Sequence, residues 1–214
     1  MRIESPDGRP IAKLDGWHEL APPAAANHWR EHRSAYELAR AWTEGDGAER
    51  LMALLGPHDA FAGVELEQAI AERKTWFDDI PGGPRNHDLP VVGRTPAGVI
   101  GIETKADETF DRDLADFVAS ARRRSAATRA PERLDRLTRA LFGTTLAEDR
   151  SLAPLRYQLF SALAGTLAEA VDDCRAAFPS TSASSSCAVE MSACVAWRQR
   201  IRLHRVIARR PADW

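Results

Sequence analysis

The stretch that most constrains this chain is residues 88–105, where two short segments rich in β-branched residues flank a turn. The first, residues 88–93, reads Asp-Leu-Pro-Val-Val-Gly, and the second, residues 99–105, reads Val-Ile-Gly-Ile-Glu-Thr-Lys. Between them Thr95, Pro96, Ala97 and Gly98 supply turn chemistry. Valine and isoleucine are stiff at χ1 and fit a pleated surface better than a helix. Strand, short turn, strand therefore predicts an antiparallel hairpin.

Outside this hairpin the patterning is mostly helical. After Pro22-Pro23, Asn27 is a good N-cap for a helix over 28–42, with Ala35, Leu38, Ala39 and Trp42 as its apolar stripe. In this reading Trp29, Leu38 and Trp42 are buried and Glu37 faces the hairpin. A second helix spans 48–55 and stops at Gly56-Pro57, and a third is expected over 64–73. Residues 78–86, with Pro81, Gly82, Gly83 and Pro84, read as a loop. Beyond the hairpin, 110–124 and 131–142 read as helices, Pro131 suiting a first turn. A long helix over 152–178 carries Leu155, Leu159, Leu163, Leu167 and Val171 at fourfold spacing, a stripe expected to pack in the core. The expected fold is α/β (α+β), a central mixed sheet flanked by helices.

Composition excludes several classes. A chain of 214 residues with 44% apolar and 28% charged side chains suits one globular domain. No run approaches the roughly 20 apolar residues a membrane span needs. The N-terminus has no apolar region behind a basic start, so a secretory signal is not expected and a cytoplasmic location is. Cys174, Cys187 and Cys194 form no CxxC pair, which argues against a disulfide scaffold or a zinc knuckle.

Asp88, Glu103 and Lys105 carry the chemistry. Positions two apart on a strand share a face, so Glu103 and Lys105 project together while Thr104 points the other way. Antiparallel pairing brings Asp88 toward Glu103, placing two carboxylates and an ammonium together. Two carboxylates so close repel, and a hard divalent cation relieves the repulsion; Mg²⁺ accepts a few carboxylate oxygens and keeps several waters. A cation so held activates water and stabilises charge on a phosphate, and the lysine adds to transition-state neutralisation. The plainer reading makes Asp88 a strand-entry cap and Glu103–Lys105 a surface ion pair. His28 and His32 are spaced for one helix face, but no third ligand is near them in the sequence.

Asp88 followed after a gap by Glu103-Thr104-Lys105 resembles the PD-(D/E)XK nuclease superfamily, in which Asp and (Glu/Asp)-x-Lys lie on adjacent strands. His87 stands where the signature has proline. The segments RSAYELARAW, GGPRNHDLPVVG, GIETKADE and RAPERLDRLTRALFG also resemble small bacterial proteins with this core, over residues 17–177. The resemblance implies a restriction-endonuclease-like core in the order helix, three strands, helix, strand. It implies Asp88 and Glu103, with the Thr104 backbone oxygen, as ligands of Mg²⁺ or Mn²⁺, and Lys105 as the catalytic lysine. It further implies an acidic residue from an earlier helix, Glu37 or, as second choice, Glu67. A later-helix glutamine, Gln158, completes the set, although Ala162 stands where some members have tyrosine.

The expected function is metal-dependent hydrolysis of phosphodiester bonds, with nucleic acid, DNA foremost, as partner, no membrane, and a homodimer left open. The alternative is a non-catalytic interaction or regulatory module of the same fold, since a fold does not fix a function. Charge is uneven: residues 1–120 hold 13 basic and 22 acidic side chains, residues 121–214 hold 16 and 9. The basic half marks either a polyanion partner or solvated helix faces. The nuclease-like domain is expected to span 1–178. Residues 179–214 form an atypical tail: 179–186 are Pro-Ser-Thr-Ser-Ala-Ser-Ser-Ser, and the end is arginine-rich, suiting a strand or a basic arm. None of it offers the β-branched run of a buried strand, so the tail is expected to be frameshifted or disordered and the sheet one strand short.

Overall fold

Residues 89–105, buried at nearly every described position, set the centre of the molecule. The computed structural model describes residues 1–76, 78–80, 85–94, 97–107, 109–177 and 194–198. Strands β1 (Arg2–Glu4), β2 (Leu66–Ile70), β5 (Leu89–Arg94), β6 (Ala97–Lys105) and β7 (Cys194–Arg198) form one sheet in the order β1-β2-β5-β6-β7. A separate pair joins β3 (Arg73–Thr75) to β4 (Arg85–His87). β2, β5 and β6 run antiparallel in succession, while β1 and β7 lie parallel to their neighbours, so the sheet is mixed. Helices α1 (Leu14–Leu20), α2 (Ser34–Thr43) and α3 (Gly47–Leu55) precede β2; α4 (Leu114–Arg124), α5 (Ala130–Phe142) and α6 (Tyr157–Ala177) follow β6. This is an α/β architecture. No helix among the described residues is long and apolar enough to cross a membrane.

The two faces of the β5–β6 hairpin have different company. Leu89 pairs with Ile102 and Val91 with Ile100, and all four are buried in one core with Trp17, Leu38, Leu51 and Leu55 of α1 to α3. Alternation turns Gly101, Glu103 and Lys105 to the opposite face, where α6 crosses. A Cβ built on Gly101 would collide with the Thr166 side chain, so only glycine lets α6 lie this close to β6. Leu114, Leu134, Leu137, Phe160 and Ala164 form a second apolar cluster among α4, α5 and α6.

Several sequence expectations are corrected. The first long helix begins at Ser34, not at residue 28: His32 has φ of 68°, which a right-handed helix does not admit. The carboxylate of Glu37 accepts the His32 N–H at 2.8 Å and fixes that entry. Leu38 is buried, but Trp29 and Trp42 are only half-buried. Residues 64–73 are not a helix; β2 and the start of β3 occupy them, because pairing with both β1 and β5 outweighs a weak helical pattern. Arg85 and Asn86, expected in a loop, pair with β3 together with His87, while residues 81–84 lie outside the described residues. α4 starts at Leu114 because the Asp113 carboxylate caps the Asp116 N–H at 2.8 Å. α5 ends at Gly143, whose φ of 70° only glycine adopts without strain.

Within α6 the leucine stripe is not the buried face. Leu155 is exposed and Leu159, Leu163 and Leu167 are half-buried, whereas Phe160, Ala162, Ala164, Thr166 and Ala170 are buried. Close approach to Gly101 favours small side chains there. The sheet is also not short of a strand in this region: Cys194–Arg198 pairs with β6 from Gly101 to Lys105. An edge strand needs an extended, β-compatible backbone more than an apolar run, and Val195 and Trp197 supply it. The rest of the expected tail, and the three cysteine side chains, lie outside the described residues.

Candidate functional site

At the end of β6 the chain carries Glu103, Thr104 and Lys105 in succession, and β5 begins opposite them. Leu89 pairs with Ile102, so Asp88 stands level with Glu103, one step beyond the paired residues. The Asp88 Oδ2 accepts the Thr104 N–H at 2.7 Å. A carboxylate thus holds the place in the ladder that a β5 carbonyl would otherwise take. On the other side of the residue, the Asp88 carbonyl accepts the Glu72 N–H at 3.2 Å, tying the site to the turn before β3.

Glu103 and Lys105 project together as their spacing requires, with Lys105 Nζ 3.2 Å from Glu103 Oε1. The same Oε1 accepts a hydrogen bond from Gln158 Nε2 in the first turn of α6. The Gln158 Oε1 in turn accepts the Asp111 N–H at 3.3 Å. The Lys105 ammonium lies 6.0 Å from the centre of the Phe110 ring, close enough for a weak cation–π attraction. The expectation of an open surface is corrected: Glu103 is 1% exposed and Lys105 9%. The closure comes from α6, whose glutamine lies over the glutamate.

On the α2 side the end of β6 borders a cavity that reaches Thr104 and Lys105 but is not lined by Glu103 or Asp88. This cavity, of about 340 Å³, is lined by Glu37, Arg40, Trp42, Arg50, Thr104 and Lys105, among others. Glu37 therefore looks toward the end of β6 as expected, but its carboxylate is engaged: Arg40 Nη2 lies 2.5 Å away and the His32 N–H donates to it. Thr104 is buried, and its hydroxyl has no hydrogen-bond partner among the described residues. Arg33, just before α2, reaches Asp107 just after β6 at 3.4 Å and ties the two segments together. The second-choice residue Glu67 lies within β2, half-buried, not on a helix. His28 and His32 are both exposed, on separate turns before α2 rather than on one helix face.

A family model for a domain of unknown function, DUF6946, matches residues 10–178. The chain belongs to the DUF6946 family. The match covers every element from α1 to α6 and so contains the whole polar cluster around Glu103. No curated protein and no solved structure matches the chain.

Sequence reasoning passed over three members of the DUF6946 cluster. The sequence pattern places Phe110 and Asp111 in a helix over 110–124, whereas they precede α4 in an irregular segment, and Arg40 reads as an ordinary solvated helix residue. Their roles follow from the fold-back of α6 and from the break at His32, neither of which a single-sequence pattern encodes.

Proposed function

We propose that this DUF6946 domain is a metal-dependent nuclease of the PD-(D/E)XK type, hydrolysing phosphodiester bonds in DNA. The observation that carries the reading is the assembly of Asp88, Glu103, Lys105 and Gln158 at the shared end of β5 and β6, linked through Thr104 N–H and Glu103 Oε1. The element order supports it too: α3, the antiparallel run β2-β5-β6, α6, and β7 parallel to β6 follow helix, three strands, helix, strand.

The donor set fits Mg²⁺ or Mn²⁺. Two carboxylates stand level on neighbouring strands beside the Thr104 backbone, and such ions take few protein oxygens and keep several waters. No group of three or more His, Cys, Asp or Glu side chains suited to a metal occurs among the described residues, so the ion's remaining positions belong to water and substrate. When bound, the ion supplies charge stabilisation and an acidified water. The protein's residues do the rest. Gln158 and Lys105 fix the Glu103 carboxylate in one orientation. An ammonium has three donors; one lies on Glu103, and the cavity side turns the lysine toward an incoming phosphate oxygen. Glu37 and Arg40 set the polarity of the entrance.

Calorimetry with Mn²⁺ and Mg²⁺, paired with nicking of supercoiled plasmid, tests the reading. We expect saturable Mn²⁺ binding and Mn²⁺-dependent nicking by the full chain, both lost in Asp88→Asn. A chain that binds neither ion and cuts neither DNA nor RNA refutes it. One observation favours the second reading, a non-catalytic module of the same fold: the 1% exposure of Glu103 under Gln158. In that reading Asp88→Asn alters stability and nothing else.

A further inference from the structure

The uneven charge of the sequence has a local counterpart beside the polar cluster. Arg112 Nη1 and Arg124 Nη1 both donate to the Ser120 hydroxyl, at 2.6 and 3.4 Å. Two guanidinium groups thus converge on one neutral oxygen. Arg112 Nε also pairs with Asp111 at 3.2 Å, and Arg156 Nη1 donates to the Asp111 carbonyl at 3.3 Å. Arg122 and Arg123 complete the last turn of α4, exposed and without an ion pair among the described residues. Residues 111–124 and Arg156 thus hold five arginines against three aspartates, and the Asp113 carboxylate is already engaged as the N-cap of α4. The helix dipole accounts for cations at the end of α4. It does not account for Arg112, which reaches Ser120 from the segment before α4, or for Arg156, which reaches the Asp111 carbonyl.

Like charges brought together on a surface repel one another and are relieved by an anion. Guanidinium forks match phosphate oxygens two at a time and shed water more readily than ammonium groups. The strip is also joined to the proposed site: Asp111, on which Arg112 and Arg156 converge, donates its N–H to Gln158, and Gln158 holds Glu103.

We infer that Arg112, Arg122, Arg123, Arg124 and Arg156 form the track on which the phosphodiester backbone of a nucleic acid lies, passing the Asp111–Gln158 side of the polar cluster. This rests on the nuclease reading for its role, but the track itself is tested by binding alone. The full chain, in Ca²⁺ to hold back turnover, is titrated against fluorescein-labelled single- and double-stranded DNA oligomers and an RNA oligomer across a salt series. Arg123→Ala/Arg124→Ala and Arg112→Ala/Arg156→Ala should each weaken binding on the order of tenfold at low salt. Each should also flatten the slope of log K against log salt by roughly 0.9 for every phosphate the variant no longer neutralises. Arg129→Ala/Arg136→Ala removes two exposed arginines paired with Glu132 on α5 and should leave both quantities unchanged.

Circular dichroism melts establish that each variant is folded. Equal losses in the α5 control, or no loss in the track variants, overturn the inference even if wild-type protein nicks plasmid. Binding to phosphatidylserine vesicles but to no nucleic acid also overturns it. Binding with the expected slopes by a protein that never cleaves keeps the track and removes the nuclease reading.

Discussion

Among the described residues, Asp78 with Arg133 and Glu103 with Lys105 are ion pairs in which both partners are little exposed, and the geometry around them differs. Arg133 meets Asp78 along two edges, Nε to Oδ2 and Nη2 to Oδ1 at 2.8 Å each, and also donates to the Ile80 carbonyl at 2.6 Å. Two guanidinium nitrogens lie against Asp78, Nη2 donates to two acceptors, and both side chains are 9% exposed, so the pair clamps residues 78–80 onto α5. Glu103 and Lys105 touch at a single 3.2 Å approach, with a neutral glutamine as second donor, and the lysine lines a cavity. A bidentate guanidinium is a fastener; a monodentate ammonium beside a cavity is what the proposed chemistry would need. Burial alone does not separate structure from chemistry. Engagement of the donors does.

The sharpest break between the two pairs is in activity. Glu103→Gln and Asp88→Asn are expected to abolish Mn²⁺ binding and nicking together, whereas Asp78→Asn leaves the specific activity of the folded protein intact. Metal calorimetry and plasmid nicking on the three variants decide it; activity loss in Asp78→Asn at unchanged fold would erase the distinction. Next in size, Lys105→Ala should lower turnover on the order of 10²- to 10³-fold, the usual cost of removing one charge-stabilising donor. Its Mn²⁺ affinity should stay close to wild type, which single-turnover kinetics alongside calorimetry will separate.

Stability reverses the ranking. Asp78→Ala strands a buried guanidinium and should cost about 3–5 kcal/mol. For a chain of this size that is a fall in melting temperature of roughly 10 °C. The double change Lys105→Met/Glu103→Gln removes both charges at once and should melt near wild type, because replacing a whole buried pair is often neutral. A melt as low as that of Asp78→Ala would mean that the Glu103 pair is also a fastener.

The smallest effect is next door. Asp79 pairs with Arg136 at 2.6 Å, but its side chain is 79% exposed. The hydrogen bond from Arg136 holds its carboxyl below the ordinary aspartate value. A depressed carboxylate stabilises the fold above the ordinary value, and that contribution fades as pH falls through the depressed one. Wild type should therefore be slightly more stable than Asp79→Asn at neutral pH, by little since exposed pairs are screened, and the two should converge at the acid end. A gap that widens as the pH falls would contradict this.

How much was legible in the sequence varies by element. The β5–β6 hairpin follows from Val91, Val92, Val99, Ile100 and Ile102, whose alternation and branching point one way; only its edges moved, to Leu89 and Ala97. α3 and α5 were readable because caps and apolar spacing agree with the tertiary packing. β1, β2 and the β3–β4 pair were not, because strands this short acquire their identity from partners far along the chain. The meeting of Gln158 with Glu103 could be suspected only from resemblance. Nothing in the residues around Tyr157 encodes how close α6 comes, which depends on Gly101 facing Thr166.

The sequence by itself determined the period-two placement of Glu103 and Lys105 on one face, the proximity of Asp88 through the hairpin, and the surplus of arginine after residue 120. These are local consequences of backbone geometry and composition. Only the tertiary structure decided that Glu103 is sealed by α6, that Glu37 turns back to cap its own helix, and that the arginines of three segments converge on Ser120 and Asp111. Each of those depends on how elements distant in sequence close against one another, and that is settled by packing and by hydrogen bonds the chain cannot make until it has folded.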